Sequence, residues 1–229
     1  MFRKSIYCLF AIAFLGERQA PAATLTFTDP VAFFAALPGA ASTLDFDGSL
    51  VRTSIPSGNA LAGITFSYSI AGLAMAVVDD FDTTSPANYL GLNNPGNFDQ
   101  FIAGDSFDML FATPAAALGL YVITTADPVF AGDIQLVTPI GTALNAGTPN
   151  LTLPDGGTAF FIGLVSDTAF SNASVQFDPG AVGAFLYNVD DITTSAAAVA
   201  RAPEPSAALL CLGALALLVA ARACAIFSR

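Results

Sequence analysis

Closely spaced aspartates are the residues of this sequence that could do chemistry. They form four groups: Asp45 with Asp47, then Asp79, Asp80 and Asp82, then Asp105 with Asp108, and finally Asp190 with Asp191. Such groups supply clustered carboxylate oxygens, and Ca²⁺ takes about six to eight oxygen ligands. None of them matches the full EF-hand loop. The alternative is a solvated acidic surface on which Asp serves turns and caps.

Catalysis has few residue types to draw on. The sequence has no His, and its only Lys and its three Cys, which are Lys4, Cys8, Cys211 and Cys224, lie near the two ends. Between residues 23 and 201 this removes the usual nucleophile and base sets of serine hydrolases and thiol proteases. A glycosidase built on two aspartates fits the composition, but no Asp is distinguished as its acid. We therefore expect a protein that is not an enzyme.

The central part of the chain is strongly acidic. Of the 18 acidic residues only Glu17 and Glu204 lie outside residues 23–201, where Arg52 and Arg201 are the only basic residues. A surface that binds nucleic acid must neutralise rows of phosphates with Lys and Arg, so we expect no nucleic-acid partner. This range also has no Cys, which excludes disulfides and Cys-based zinc sites.

The elements that must position the aspartates are short strands. Turn-forming Pro, Gly and Asn residues recur about every ten residues, and many short strands at such spacing favour an antiparallel β-sandwich. We predict strands at Thr43–Phe46, Ile64–Ser69, Ser106–Thr113, Ala117–Thr124, Asp133–Thr138, Thr158–Val165, Ser174–Phe177 and Phe185–Val189. One short N-terminal helix is predicted over residues 30–37, because Asp29 can cap it, Pro30 suits its first turn and Pro38 stops it.

Aromatic residues supply the predicted core. The chain has 20 Phe and no Trp, and Phe at strand spacing is more often core than a platform for sugars. We place in the core Phe46, Phe66, Phe107, Phe111, Phe160, Phe177 and Phe185. Tyr68, Tyr89 and Tyr121 could instead stack on a sugar ring. The polar segment from Thr83 to Gln100 is predicted to be a loop and a favourable location for function.

The first 22 residues have the pattern of a secretory signal peptide. Arg3 and Lys4 are followed by an apolar run from Ile6 to Leu15, and Ala20-Pro21-Ala22 is a small-residue cleavage pattern. We predict cleavage after Ala22. The alternative is an uncleaved anchor, although the apolar run is short for a membrane span.

The last residues, 202–229, have the pattern of a membrane anchor. Pro203-Glu204-Pro205 precedes an apolar stretch from Ala207 to Ala221, which is followed by Arg222 and Arg229. At about 1.5 Å per residue this predicted transmembrane helix covers roughly 22–25 Å, enough for a span if the Arg side chains snorkel. Positive charge after the helix predicts that this end is cytoplasmic and that residues 23–201 lie outside.

This tail resembles the PEP-CTERM sorting domain of exported proteins from Gram-negative bacteria that make exopolysaccharide. The resemblance implies that an exosortase, a membrane enzyme similar to Cys transpeptidases, recognises Pro203, Glu204 and Pro205. It also implies that Arg222 stands for the basic cluster of the family. The family ends in a compact Arg-rich run, whereas residues 223–228 separate the two arginines here. A plain C-terminal anchor is the alternative.

The body, residues 23–201, resembles domains that commonly precede such a tail. The short helix and the blocks Leu44–Gly48, Gly63–Phe66, Phe160–Asp167 and Tyr187–Ile192 follow the order of those domains. The resemblance implies an all-β, jelly-roll-like antiparallel β-sandwich similar to carbohydrate-binding modules. In such modules a structural Ca²⁺ often joins acids of the first and last strands. This implies a calcium site at Asp47 and Asp191, with Asp45 and Asp190 beside them.

These features together predict an exported, non-catalytic surface or extracellular-matrix protein. Its expected partners are the secretion machinery, an exosortase, the membrane through the C-terminal helix, and polysaccharide. We expect a precursor anchored in the inner membrane, then a location at the cell surface or in the matrix, associated with exopolysaccharide or biofilm. The alternative is a carbohydrate-binding, lectin-like module with a defined glycan ligand.

Overall fold

The computed structural model describes residues 23–70, 72–94, 99–125, 128–178 and 185–197. The described residues form fourteen strands and one short helix, α1, at Pro30–Ala35. The strands are β1 (Thr24–Phe27), β2 (Ala41–Leu44), β3 (Ser54–Ile55), β4 (Asn59–Leu61), β5 (Ile64–Tyr68), β6 (Ala74–Val78), β7 (Tyr89–Asn93), β8 (Phe101–Ile102), β9 (Phe107–Thr124), β10 (Ile134–Thr138), β11 (Gly141–Leu144), β12 (Leu151–Thr152), β13 (Thr158–Phe177) and β14 (Leu186–Ala196). The all-β prediction is confirmed.

The two ends of the chain lie outside the described residues. This applies to the predicted signal peptide, residues 1–22, and to the predicted sorting tail, residues 202–229, with its motif residues and its transmembrane helix. Within the described part of the chain, no helix has the length and apolar character needed to cross a membrane. The prediction of a separate C-terminal transmembrane helix therefore stays a prediction.

Two long antiparallel strands, β9 and β13, organise the fold. They pair from Thr158 with Thr124 at one end to Val175 with Phe107 at the other, and register shifts near Phe170 interrupt the pairing midway. The sequence predicted two separate strands in each of these segments, which is wrong. Pro114 lies where the pairing of β9 with β13 is interrupted, between Leu110 and Ala115, and such irregularities disturb a strand locally without ending it.

The two halves of this strand pair, on either side of the irregularity, pair with different strands of one sheet. The Phe107–Phe111 half of β9 pairs with β5, and the adjoining end of β13 pairs with β10. The other half of β9 pairs with β14, whose opposite edge contacts β8, β7 and β2 in succession. These two groups of strands form layers that face each other across the core, as in a sandwich.

Aromatic rings cross this core and join the two layers. The ring of Phe101 lies 5.7 Å from that of Phe107 on β9 and 4.9 Å from that of Tyr187 on β14, and Phe177 on β13 lies 4.5 Å from Tyr187. All seven Phe residues predicted for the core belong to it, with Phe177 partly buried and the other six buried. Burial of large aromatic surfaces is the main source of stability in such a domain.

Helix α1 covers the outer face of the layer that contains β14. The Asp29 carboxylate accepts a hydrogen bond of 2.9 Å from the Val31 amide, which caps the helix as predicted. Phe33 is fully buried against Gly119 and Gly163, which are paired across β9 and β13. A Cβ added to Gly119 or Gly163 would lie 2.8 or 2.7 Å from the Phe33 ring. Because neither glycine has a side chain, the pair leaves a slot that accommodates the Phe33 ring.

Closing this slot should destabilise the fold. We expect Gly163→Ala to lower the free energy of unfolding by about 1–3 kcal/mol, because Phe33 must move out of a close-packed site. Urea denaturation followed by circular dichroism measures this. Gly48→Ala is the matched control, since a Cβ there meets nothing within 4 Å. Equal stability of the two variants would show that the slot is not needed.

Candidate functional site

A bulge in β14 lies at the centre of the candidate site. The register of β14 against β9 shifts between Asp190 and Thr193, and Asp191 has a φ of 52°, in the left-handed region that few residues other than Gly adopt. Bulges re-aim side chains that strict alternation would send to opposite faces. As a result, the consecutive residues Asp190 and Asp191 both serve the outer face of this layer.

Asp190 is a buried anchor for the segment that crosses this face. Its Oδ2 accepts hydrogen bonds from the Thr83 hydroxyl, from the Thr84 hydroxyl at 3.1 Å, and from the amide and hydroxyl of Ser85 at 3.0 and 2.8 Å. Its Oδ1 accepts a bond of 2.7 Å from the Asp191 amide. The four donors from Thr83, Thr84 and Ser85 tie this segment to the sheet.

The electrostatics of Asp190 follow from its burial. Burial raises the pKa of Asp190 to about 6, and the neighbouring Asp191 carboxylate raises it as well. The Thr83 hydroxyl and the two Ser85 donors act in the opposite direction, because they stabilise the charged form. The carboxylate is therefore ionised at neutral pH, although it is fully buried.

A second carboxylate holds the other end of the same segment. Asp47 Oδ1 accepts hydrogen bonds from the Ala87 amide at 3.1 Å and the Asn88 amide at 2.9 Å. Asp45 Oδ1 in turn accepts from the Asp47 amide at 3.2 Å. Residues 83–88 are thus clamped between the chain after β2 and the bulge of β14. The structure brings all four predicted metal ligands to this one segment.

These contacts bear on the predicted calcium site. Burial raises the pKa of Asp191, whereas a hydrogen bond from the Thr84 hydroxyl lowers it. The negative charges of Asp45 and Asp47 raise this pKa further, so the three carboxylates are close enough to interact. Asp190 suits a metal ligand poorly, because N–H and O–H donors occupy both of its oxygens. In the described ranges, no three Asp, Glu, His or Cys side chains form a group that could hold an ion. Calcium at these residues stays a prediction.

Beside the clamped segment lies a groove of about 340 Å³, which we call the Tyr121 groove. Its aromatic side consists of Phe34 from α1, Tyr121 from β9 and Phe161 from β13. Its polar side consists of Asp191 together with Thr84 and Thr193. The sequence predicts separate roles for Tyr121 and Asp191 and gives no sign of their proximity, which arises because Tyr121 pairs with Asp190 across β9 and β14.

The aromatic side of the groove is accessible, and its rings pack against neighbouring rings. Phe34 is 48% exposed although its neighbour Phe33 is fully buried, and the Tyr121 ring lies 5.2 Å from that of Phe161 in an edge-to-face arrangement. Burial raises the pKa of Tyr121, with smaller contributions from Asp191 and Asp29. The Tyr121 hydroxyl therefore stays protonated at neutral pH.

The other two tyrosines proposed for sugar stacking are engaged elsewhere. The Tyr68 hydroxyl donates to the Ile55 carbonyl at 2.7 Å and accepts from the Met75 amide at 2.9 Å. Tyr89 is fully buried, and its hydroxyl accepts from the Phe81 amide at 3.0 Å. Tyr89 also begins β7, so the predicted loop from Thr83 to Gln100 contains a strand. Of the three tyrosines, Tyr121 alone lines a described groove that also contains a carboxylate side chain.

Arg52, the only Lys or Arg among the described residues, lies in a separate ionic network. Its guanidinium contacts Asp80 at 3.2 Å and forms a short contact with Asp99. Burial raises the pKa of Asp80, and Asp99 adds to the shift. Burial acts to raise the pKa of Asp99. Interactions with the Asn94 amide, Asp80 and Arg52 outweigh this effect and hold the pKa below its usual value. This network ties loops together and reaches none of the residues that line the Tyr121 groove.

Comparison with known proteins gives little guidance. No family model and no curated protein matches the chain. Among solved structures, the chain is similar to the catalytic domain of a GH87 alpha-1,3-glucanase in complex with tetrasaccharides, at 14% identity and a TM-score of 0.30, over 68% of this chain and 31% of that one. The complex with nigerose gives 15% identity and a TM-score of 0.30, over 64% and 31%. The chain thus spans less than a third of those chains, and no functional argument rests on this similarity.

Replacing Asp190 by Asn tests the anchor through its pH dependence. Between the ordinary value of 3.8 and about 6, folded Asp190 keeps a proton that the unfolded chain releases. Its contribution to the free energy of unfolding therefore falls as pH rises through this window. We expect Asp190→Asn to flatten this decline in urea titrations across the window. We also expect it to cost about 1–3 kcal/mol at neutral pH, because an amide cannot accept from all five donors.

The exposed carboxylate of Asp108 offers the control for the loss of one charge, as Asp108→Asn. An Asp190→Asn protein with the pH profile and stability of the parent would contradict the anchor role.

Calcium binding has its own test. If Asp45, Asp47 and Asp191 hold Ca²⁺ in the folded state alone, millimolar CaCl₂ raises the melting temperature by mass action. Asp191→Asn would remove that rise, and Asp108→Asn would keep it. An unchanged melting temperature in CaCl₂ eliminates the site.

Proposed function

We propose that this chain is an exported, non-catalytic protein of the cell surface or extracellular matrix, associated with exopolysaccharide or biofilm. In this proposal an exosortase processes its precursor at Pro203-Glu204-Pro205, while the C-terminal helix with Arg222 holds the precursor in the inner membrane. The observation that carries it is the order of three parts: a leader pattern, an acidic all-β domain, and a Pro-Glu-Pro tail. The domain itself would have a jelly-roll-like connectivity.

The absence of catalysis in this proposal is supported by how the acids of raised pKa are used. Asp190 is fully buried and holds a loop, and Asp80 belongs to the Arg52 network. Hydrolysis of a glycosidic bond by the usual route needs two carboxylates facing the bond. Among the residues lining the Tyr121 groove, Asp191 is the only acid.

The acidity of the domain also fits a matrix location. Arg52 is the only cationic side chain among the described residues, against many exposed aspartates. A high net negative charge keeps a protein soluble and repels anionic neighbours. Such a domain would remain dispersed within a polysaccharide layer and would not adhere to membranes or nucleic acid.

A second candidate function is that of a carbohydrate-binding module with a defined glycan ligand. The specific observation in its favour is the Tyr121 groove, where exposed aromatic surface lies opposite a carboxylate and hydroxyl groups. Aromatic surface with a few placed polar groups is the usual composition of small-molecule sites. Glycan binding by the purified protein separates this candidate from a purely structural matrix protein.

Intact-mass analysis of the protein from its native host tests the sorting proposal. We expect a mature form that begins at Ala23 and ends at or before Pro205, because leader removal and tail processing both shorten the chain. A variant with Pro203→Ala and Pro205→Ala is the matched control, and it should keep the full tail. A wild-type mature form that retains residues 206–229 would refute processing at this motif.

A further inference from the structure

We propose that the Tyr121 groove is a subsite for one ring of an uncharged or amino-bearing glycan. The proposal rests on the carbohydrate-binding candidate and adds to it the site, the role of each residue and the class of sugar. It concerns only residues 23–197 and is independent of how the chain is exported.

The aromatic side of the groove suits the apolar face of a sugar ring. Phe34 keeps 48% of its surface exposed, although Leu151, 45% exposed, lies beside it. The adjacent Phe33 fills the slot between Gly119 and Gly163, so α1 cannot turn Phe34 away from the groove. A volume of about 340 Å³ lies at the lower end of the range for small-molecule sites, about 300–1,000 Å³. The site therefore suits a ring or two and not a long chain.

The polar side of the groove suits the hydroxyl groups of a sugar. The Asp191 carboxylate accepts hydrogen bonds only, and bonds from O–H donors to a carboxylate are among the strong ones in proteins. The Tyr121 hydroxyl can both donate and accept a hydrogen bond. Thr43 and Thr193 share a hydrogen bond of 2.8 Å at the edge of the groove. A sugar ring can satisfy acceptor and donor groups spaced in this way.

The groove is organised before any ligand arrives. Asp191 is held by the bulge, with its amide bonded to Asp190, and Thr84 is held by its own bond to Asp190. The Tyr121 ring is fixed by the edge-to-face contact with Phe161. Binding to a preformed site loses less conformational freedom than binding that must order its residues.

The negative charges around the groove determine which classes of glycan can bind there. Asp45 and Asp47 lie near enough to Asp191 to raise its pKa, and the only described cation, Arg52, pairs with Asp80 and Asp99. Carboxylated or sulfated sugars would meet repulsion without a compensating partner. A neutral ring meets none, and an amino group adjacent to Asp191 would gain attraction.

Calorimetric titration of the full chain, purified in mild detergent, tests the proposal. The probes are tetrasaccharides of β-1,4-glucose, β-1,3-glucose and α-1,4-glucose, a chitosan tetrasaccharide, and tetragalacturonate as the anionic member. We expect binding of at least one neutral or amino-bearing probe. We expect Phe34→Ala and Tyr121→Ala each to weaken it by about tenfold or more.

Three further variants make the result specific. Phe130→Ala is the matched control, since Phe130 is 55% exposed and lies outside the groove, and it should bind as the parent does. Tyr121→Phe keeps the ring and tests the hydroxyl alone if Tyr121→Ala does not fold. Asp191→Asn keeps a residue type that tolerates the left-handed conformation, and it should weaken the chitosan probe more than the neutral ones.

Each outcome decides between the groove and the wider candidate. Binding that survives both Phe34→Ala and Tyr121→Ala places the glycan elsewhere and overturns the groove alone. Tetragalacturonate binding as tight as that of the neutral probes overturns the ligand class. No binding of any probe overturns both the groove and the carbohydrate-binding candidate, which leaves the structural matrix protein.

Discussion

The buried carboxylate of Asp190 is the interaction on which the outer face of this domain depends. Burying a charged group away from water costs free energy unless hydrogen bonds replace its hydration. Thr83, Thr84 and Ser85 supply four such donors to one oxygen of Asp190. Because the donors come from one short segment, the carboxylate cannot be satisfied unless that segment lies across the sheet. The position of Thr84 beside Asp191 in the Tyr121 groove follows from that requirement.

A second constraint meets the first at the same groove. The paired glycines of β9 and β13 admit the Phe33 ring against the sheet, which fixes α1 and with it Phe34. One wall of the groove thus depends on apolar packing and the other on a buried charge. Neither interaction requires a calcium ion bound by the predicted ligands. Residues of the domain itself make both.

The sequence predicted the class of fold and the core, because alternation and Phe placement are local signals. It could not predict that residues 107–124 and 158–177 are single strands, because the predicted strands end at Thr113 and Val165 while the pairing of β9 with β13 continues on both sides of the irregularity. Alternation also places Asp190 and Asp191 on opposite faces, and only the bulge brings them together. Tyr68, Tyr89 and Tyr121 look alike in sequence. The hydroxyls of Tyr68 and Tyr89 bond to backbone groups of other segments, so only the folded chain distinguishes these two residues from Tyr121.

The most direct measurement of the central claim is amide hydrogen exchange at Ser85 in the unmodified protein, followed residue by residue by NMR. Exposed loop amides exchange by local fluctuation, whereas an amide bonded to a buried group exchanges only when the structure opens. We expect the Ser85 amide, bonded to Asp190 at 3.0 Å, to be protected to within about tenfold of the amides of β7. Exchange of Ser85 at the rate of an unstructured loop would contradict it.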